Sequence, residues 1–262
     1  MRRRYLVTLL VFVVSPAIAY IAFEYLPILG LNSHSVEAFV ATKSVTPTPI
    51  PATTTPNMQT NTPGSDTCDN LLVLVDKVHG LPQNYAPPDR VHLADYSIPI
   101  TQTATSGRLI MVNDLQRLFA DSTSAGIDLK VVSAYRSYDL QASVYASYAQ
   151  QYGANEANAF SAQPGHSQHQ LGTAIDFGTQ ELGYDLSQSF ASTKAGQWLQ
   201  ANAYKYGFYL AYPEAQGSMT GYEFEPWHFR YIGVQNALNL KMSGLGMQAY
   251  LERYGVLPNC VS

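Results

Sequence analysis

Pro164-Gly165-His166-Ser167-Gln168-His169-Gln170-Leu171-Gly172-Thr173-Ala174-Ile175-Asp176-Phe177 is the stretch whose pattern decides how this chain folds. Residues 173–177 alternate as a strand does, with Thr173, Ile175 and Phe177 on one face and Ala174 and Asp176 on the other. Asp176 therefore points away from its apolar neighbours, and the small Ala174 beside it leaves room. His169 falls in the loop before the strand, and Gly172 permits a sharp turn into it. One histidine and one carboxylate can thus converge on a single point.

A second stretch completes the set. Glu225-Pro226-Trp227-His228-Phe229-Arg230-Tyr231 opens a strand over residues 227–232. Within it His228 and Arg230 face opposite to Trp227, Phe229 and Tyr231, which read as core residues. Two histidines and an aspartate supply three ligands and leave the fourth tetrahedral position open to water, as in a catalytic zinc site. A carboxylate nearby can serve as general base and later as proton donor, the part that Glu225 suits. Residues three apart on a regular strand point to opposite faces, so Glu225 must lie before the strand proper, with Pro226 ending the regular geometry. Arg136 lies between a strand over 129–133 and a helix over 138–152. It stays protonated at any working pH and donates in a fork, so it suits a carbonyl or carboxylate, or a plain surface ion pair.

The surrounding periodicities set the fold class. Leu109, Val112, Leu115, Leu118 and Phe119 predict a helix over 109–125, stopped by Gly126. Helices are also predicted over 138–152, ending at Gly153, and over 193–206, with Gly207 after it. Residues 71–75 read as a strand or a first helical turn, and 91–100 as irregular and extended. Strands and helices mix without a βαβ rhythm, which predicts one α+β domain over 68–262 with a small antiparallel sheet packed with helices.

With 46% apolar and 13% charged residues, the chain can bury a sizeable core. A net charge of −4 offers no basic patch for a phosphate backbone, so nucleic acid is not an expected partner. The 19 tyrosines suit either core and loop packing or an aromatic surface shown to a polymer.

Arg2, Arg3 and Arg4 form a basic segment at 1–4, ahead of an uncharged run over 5–23. The span 5–26 is predicted to be a membrane anchor, or a signal sequence cleaved after Ala17-Ile18-Ala19. In either case the rest of the chain lies outside the cytoplasm. No cysteine lies near this span, which excludes a lipid-modified N-terminus. Residues 27–67 are rich in Pro, Thr, Asn and Ser and predict an extended extracytoplasmic stalk. Cys68 and Cys260 are the two cysteines, and an oxidising compartment would let them pair rather than stand as free thiols.

Taken together, these segments resemble the VanY-type D-alanyl-D-alanine carboxypeptidases, in the metallopeptidase group that includes D-Ala-D-Ala dipeptidases and the hedgehog domain. Ser167-Gln168-His169, Asp176 and Glu225-Pro226-Trp227-His228 match the group's Ser-x-His, Asp and Glu-x-x-His pattern. Residues 133–141 match Ser-x-Tyr-Arg-Ser-Tyr-x-x-Gln, and the likeness runs over about residues 70–255. The resemblance implies a hedgehog/DD-peptidase-like fold and a zinc ion held by His169, Asp176 and His228. It implies Glu225 as the base, Arg136 as the group stabilising the carbonyl oxygen, and Ser167 and Gln141 as substrate hydrogen-bonding partners. Gln168 departs from the pattern, where the group commonly carries Glu, and this puts hydrogen bonding behind the ligands in question. His166 and Glu223 read as neighbours of the site without a catalytic part.

The expected activity is hydrolysis of the terminal D-Ala-D-Ala bond of peptidoglycan stem peptides by zinc-activated water. Alternatives are an L,D-carboxypeptidase, a D,D-endopeptidase, or a non-catalytic zinc module that binds wall peptides or a protein partner.

Overall fold

The computed structural model describes residues 66–102 and 105–260. The expected anchor over 5–26 and nearly all of the expected stalk over 27–67 lie outside these residues. Among the described residues no helix is long and apolar enough to cross a membrane.

Six strands are present among the described residues: β1 (Arg90–His92), β2 (Ser106–Arg108), β3 (Lys130–Ser133), β4 (Ala174–Gly178), β5 (Phe208–Leu210) and β6 (His228–Tyr231). The α-helices are α1 (Val112–Ser124), α2 (Tyr138–Tyr152), α3 (Ala154–Phe160), α4 (Lys194–Asn202), α5 (Gly217–Thr220), α6 (Val234–Ser243) and α7 (Met247–Tyr254). β1 and β2 pair alone, while the other strands form an antiparallel sheet ordered β3-β4-β6-β5. The expected α+β domain with a small antiparallel sheet is what the chain forms.

Every residue of β4 is buried, because β3 and β6 flank it and both of its faces are covered. Its alternation is as the sequence predicts. Ile175 and Phe177 enter the main core with Val131, Phe208 and Phe229, and α1 lays Leu115, Leu118 and Phe119 on the same cluster. The Phe177 ring lies 6.1 Å from that of Phe119 and 5.8 Å from that of Phe229, centroid to centroid. Burial of each such ring contributes about 1.5–3 kcal/mol. The opposite face of the sheet carries Ala174 and Asp176, paired across the β4–β6 ladder with Arg230 and His228.

The predicted helices hold with adjusted ends. Residues 109–111 form a 3₁₀ turn before α1, and the helix over 193–206 divides into α4 and a 3₁₀ turn over 203–206. Thr193 caps α4 by accepting from the Gly196 N–H at 3.0 Å, so the helix begins one residue later. α2 spans its predicted residues and ends at Gly153, whose φ of +87° a bulkier residue would resist.

Residues 71–75 become neither strand nor helix. Their backbone is taken up by a single bridge from Val73 to Val256 and by the Arg230 guanidinium. Arg230 Nη2 donates to the carbonyls of Leu71 at 3.1 Å and Val73 at 2.6 Å. The extended stretch over 91–100 likewise begins as β1 and then tightens into a 3₁₀ turn over 93–96.

Cys68 and Cys260 form the expected disulfide, 192 residues apart in sequence with their Cα atoms 5.2 Å apart. Closing so long a loop restricts the unfolded chain far more than the folded one. Reduction should therefore lower stability by about 2–5 kcal/mol, read as a fall in the urea midpoint on adding reductant. An unchanged midpoint would place the stability of the domain elsewhere.

Candidate metal centre and cleft

Three buried side chains converge on Asp176, at the middle of β4. A 3₁₀ turn over Gln168–Leu171 carries His169, started by the Ser167 hydroxyl, which accepts from the His169 N–H at 3.3 Å. Gly172 ends that turn at φ +68°, where an added Cβ would press on Arg108 and Pro87 at 3.1 and 3.2 Å. It thus makes the sharp entry into β4 that the sequence predicts. His228 opens β6 directly opposite Asp176. Ligand atoms of His169, Asp176 and His228 all lie within 4.8 Å of one another.

The hydrogen bonds around the two imidazoles show what this point needs. His169 Nδ1 lies 2.5 Å from the Ala134 carbonyl, which can only accept, so Nδ1 carries the proton. That leaves Nε2 as a bare lone pair, 3.1 Å from Asp176 Oδ2. His228 Nε2 lies 3.2 Å from Gln168 Oε1, and its Nδ1 faces Asp176 Oδ1 at 3.0 Å. Lone pairs that meet a carboxylate at such distances require positive charge among them, either protons or a metal ion. Burial pushes the His169 imidazole toward its neutral form, outweighing the attraction of Asp176. Burial also raises the Asp176 carboxyl, but the charge and hydrogen bonds of the two histidines outweigh it and hold it far below the ordinary range. Two imidazoles and an ionised carboxylate, gathered at one buried point, form a donor set that fits a divalent metal of the zinc type.

Glu225 and Arg136 flank this point. The chain turns over residues 225–228, with the His228 N–H donating to the Glu225 carbonyl at 3.0 Å, so Glu225 precedes the strand as predicted. Its Oε2 is 3.8 Å from His228 Nδ1. Burial, and then the Asp176 charge, push the Glu225 carboxyl well above the usual range, as suits a proton carrier. A cation between the ligands would draw it back down. Arg136 Nη2 is 4.0 Å from Asp176 Oδ2, and its backbone N–H donates to the His169 carbonyl at 3.1 Å.

The two expected substrate partners are differently placed. Ser167 is buried and serves the His169 turn, yet it lines the cleft. Gln141 spends its amide inside the protein: Oε1 accepts from Arg136 at 3.0 Å and Nε2 donates to the Ala162 carbonyl at 2.6 Å. His166 and Glu223 stay apart, as expected. The His166 Nδ1–H donates to the Asp76 carbonyl at 2.7 Å, and Glu223 is exposed.

These groups sit at the floor of a cleft of about 340 Å³. Its walls include Tyr148, Phe160, Tyr212, Tyr222 and Trp227, which sequence reasoning did not assign to the site. Trp227, expected in the core, belongs to the turn before β6, so it packs on the core edge and also faces the cleft. The Tyr212 ring lies 4.9 Å from that of His228. Nothing in the local pattern marks Tyr212 or Tyr222, because tyrosine is as common in cores as in sites.

Comparison with known proteins follows the same lines. The family model described as VanY, D-alanyl-D-alanine carboxypeptidase, matches residues 107–234. YodJ of Bacillus subtilis (strain 168), described only provisionally as a carboxypeptidase, is 36% identical over 187 residues, which cover 71% of this chain and 68% of that protein. The solved LdcB LD-carboxypeptidase superposes with a TM-score of 0.66 at 35% identity, covering 71% of this chain and 87% of that one. A VanY D,D-pentapeptidase from a VanB-type resistance cassette, solved with Zn(II), gives 0.55 at 27% identity, covering 69% and 98%.

The Gln168 contact yields a test. Gln168→Leu removes the acceptor behind His228 and should weaken divalent-metal affinity by about 10–100-fold, measured by competition with a chromogenic chelator. Gln168→Glu, which keeps an acceptor there, should not weaken it. Equal affinity in all three proteins would show that this contact does not support the ligand.

Proposed function

Because the chain belongs to the VanY D-alanyl-D-alanine carboxypeptidase family, we propose that it is a zinc-dependent D,D-carboxypeptidase acting on the terminal D-Ala-D-Ala bond of peptidoglycan stem peptides. The observation that carries this reading is the convergence of His169, Asp176 and His228 within 4.8 Å on the floor of a cleft, with Glu225 and Arg136 at its edge.

Zinc held by those three side chains supplies Lewis-acid polarisation of the scissile carbonyl and eases deprotonation of the attacking water. Glu225 takes that proton as the water oxygen bonds to the carbonyl carbon. It then returns the proton to the nitrogen as the C–N bond breaks. A buried carboxyl with its Oε2 3.8 Å from His228 Nδ1 is placed for both halves of this exchange. Arg136 offsets the charge that gathers on the carbonyl oxygen, and Gln141 holds the guanidinium in place. Ser167 contributes a hydrogen bond to the peptide from the cleft wall. Gln168, neutral where a carboxylate would make His228 more basic, tunes the ligand without adding charge to the site.

Wall peptides lie outside the membrane. That suits residues 1–26 as an uncleaved anchor or a removed signal, and residues 27–67 as a stalk that lets the domain reach its polymer.

A second reading has support from two solved structures, the LdcB LD-carboxypeptidase at 35% identity and the L,D-carboxypeptidase DacB at 30%. In that case the bond lies one residue earlier in the stem and the machinery is unchanged.

Mass spectrometry of muropeptides incubated with the full chain separates the two. Loss of one alanine from pentapeptide stems, abolished by chelator and restored by zinc, is expected. Cleavage of tetrapeptide stems alone would establish the L,D activity. No cleavage with zinc bound would make the domain a binding module. Glu225→Gln should cut kcat by about 10²–10⁴-fold with metal content intact.

A further inference from the structure

Beyond the metal centre, the cleft wall formed by α2 runs toward an aromatic cluster that no catalytic role absorbs. Gln141, Val144 and Tyr148 line the cleft at successive turns of that helix. At about 1.5 Å of rise per residue, Tyr148 stands roughly 10 Å from Gln141 along the axis, and Tyr152 roughly 16 Å. Tyr148 and Tyr152 are 39% and 52% exposed, high values for side chains with so much apolar surface.

These rings are held in order. Phe160, at the end of α3, meets both edge-on, at 82° and 5.1 Å to Tyr148 and at 84° and 5.7 Å to Tyr152. The two tyrosine planes lie 33° apart, with centroids 6.3 Å apart. The result is a shelf two rings long, continuous with the cleft. Its surroundings are amide-rich: Gln150, Gln151 and Asn155 are exposed on the same two helices, with Glu156 next to them, and residues 137–193 contain no Lys or Arg. Lys77 reaches the Asn158 carbonyl of α3 from outside that segment. Flat, faintly polar rings flanked by amides suit a neutral polyhydroxylated ring, whose C–H face lies on the aromatic plane and whose hydroxyls and acetamides meet the amides.

We propose that Tyr148, Tyr152 and Phe160 form a carbohydrate subsite that takes the acetamido-pyranose units to which the stem peptide is attached. This rests on the proposed hydrolysis of stem peptides. An extended peptide covers about 3.3–3.6 Å per residue, so the three or four residues before the scissile bond span about 10–14 Å. That is comparable to the rise along α2 from Gln141 to the two tyrosines, about 10–16 Å, and it holds whichever of the two bonds is cut.

The test compares the full chain on a pentapeptide, on a tetrapeptide, and on the same stems carried by an N-acetylglucosamine–N-acetylmuramic acid disaccharide. A separate titration follows binding of the free disaccharide by the metal-free protein. The disaccharide-linked stem should be preferred in kcat/KM by about ten-fold. That ratio should fall toward one in Tyr148→Ala and Tyr152→Ala and persist in Tyr148→Phe. No preference, or a ratio unchanged in the alanine variants, overturns the subsite even if hydrolysis proceeds. An equal loss on free and glycosylated stems also overturns it, since the rings would then serve the peptide. If no stem is cleaved, disaccharide binding that weakens in Tyr152→Ala sustains the subsite while the hydrolase reading fails. Absence of both overturns the subsite as well.

Discussion

A carboxylate in the middle of a sheet is the constraint around which this domain is arranged. Asp176 is 3% exposed, and an uncompensated charge at such depth costs several kcal/mol. Its compensation comes from three separate parts of the chain. β6 brings His228 by register, a 3₁₀ turn brings His169, and the loop after β3 brings both Arg136 and the Ala134 carbonyl that orients His169. A one-residue slip of β6 against β4 would turn His228 into the aromatic core and leave Asp176 facing Phe229. The apolar face of the sheet thus enforces the register that the polar face needs. Packing and chemistry here are one requirement.

The same face of β6 carries a second buried charge to a different end. Arg230 is fully buried two residues beyond His228, and burial draws its pKa down to about 10. Its guanidinium ends on backbone carbonyls of the segment before the first strand. One strand face therefore holds both the candidate catalytic centre and the clamp that fastens the start of the domain beneath it. The chain entering from residue 66 and the tail leaving after α7 meet there through the Val73–Val256 bridge and the disulfide.

Much of this was legible in the sequence because the signals were short-range. Alternation over 173–177 and 227–231 gave both faces of the central strands, and Gly172 gave the turn before the first. The pairing of those strands was not written in either, since register emerges only when both bury Ile175 and Phe229 against a shared core. α6 escaped notice because Val234, Leu238 and Met242 remain exposed while Ala237 and Leu240 are buried, so its apolar residues encircle the helix and blur the stripe. β5 has three residues, too few for a period. The expected strand or helix over 71–75 failed because its hydrogen bonds go to a side chain and to a tail more than 180 residues distant. The aromatic walls of the cleft stayed hidden among 19 tyrosines whose identity alone does not separate wall from core.

The link between Cys68 and Cys260 also changes what the molecule is topologically. Nearly the whole domain is a closed covalent ring, with the candidate metal ligands, Glu225 and the cleft walls all inside its circumference. Exposed turns such as those around residues 180–189 are places where a protease can cut. One cut in an open chain yields two pieces that can drift apart. One cut in a ring yields a single linear molecule, with every element still tethered to its neighbours.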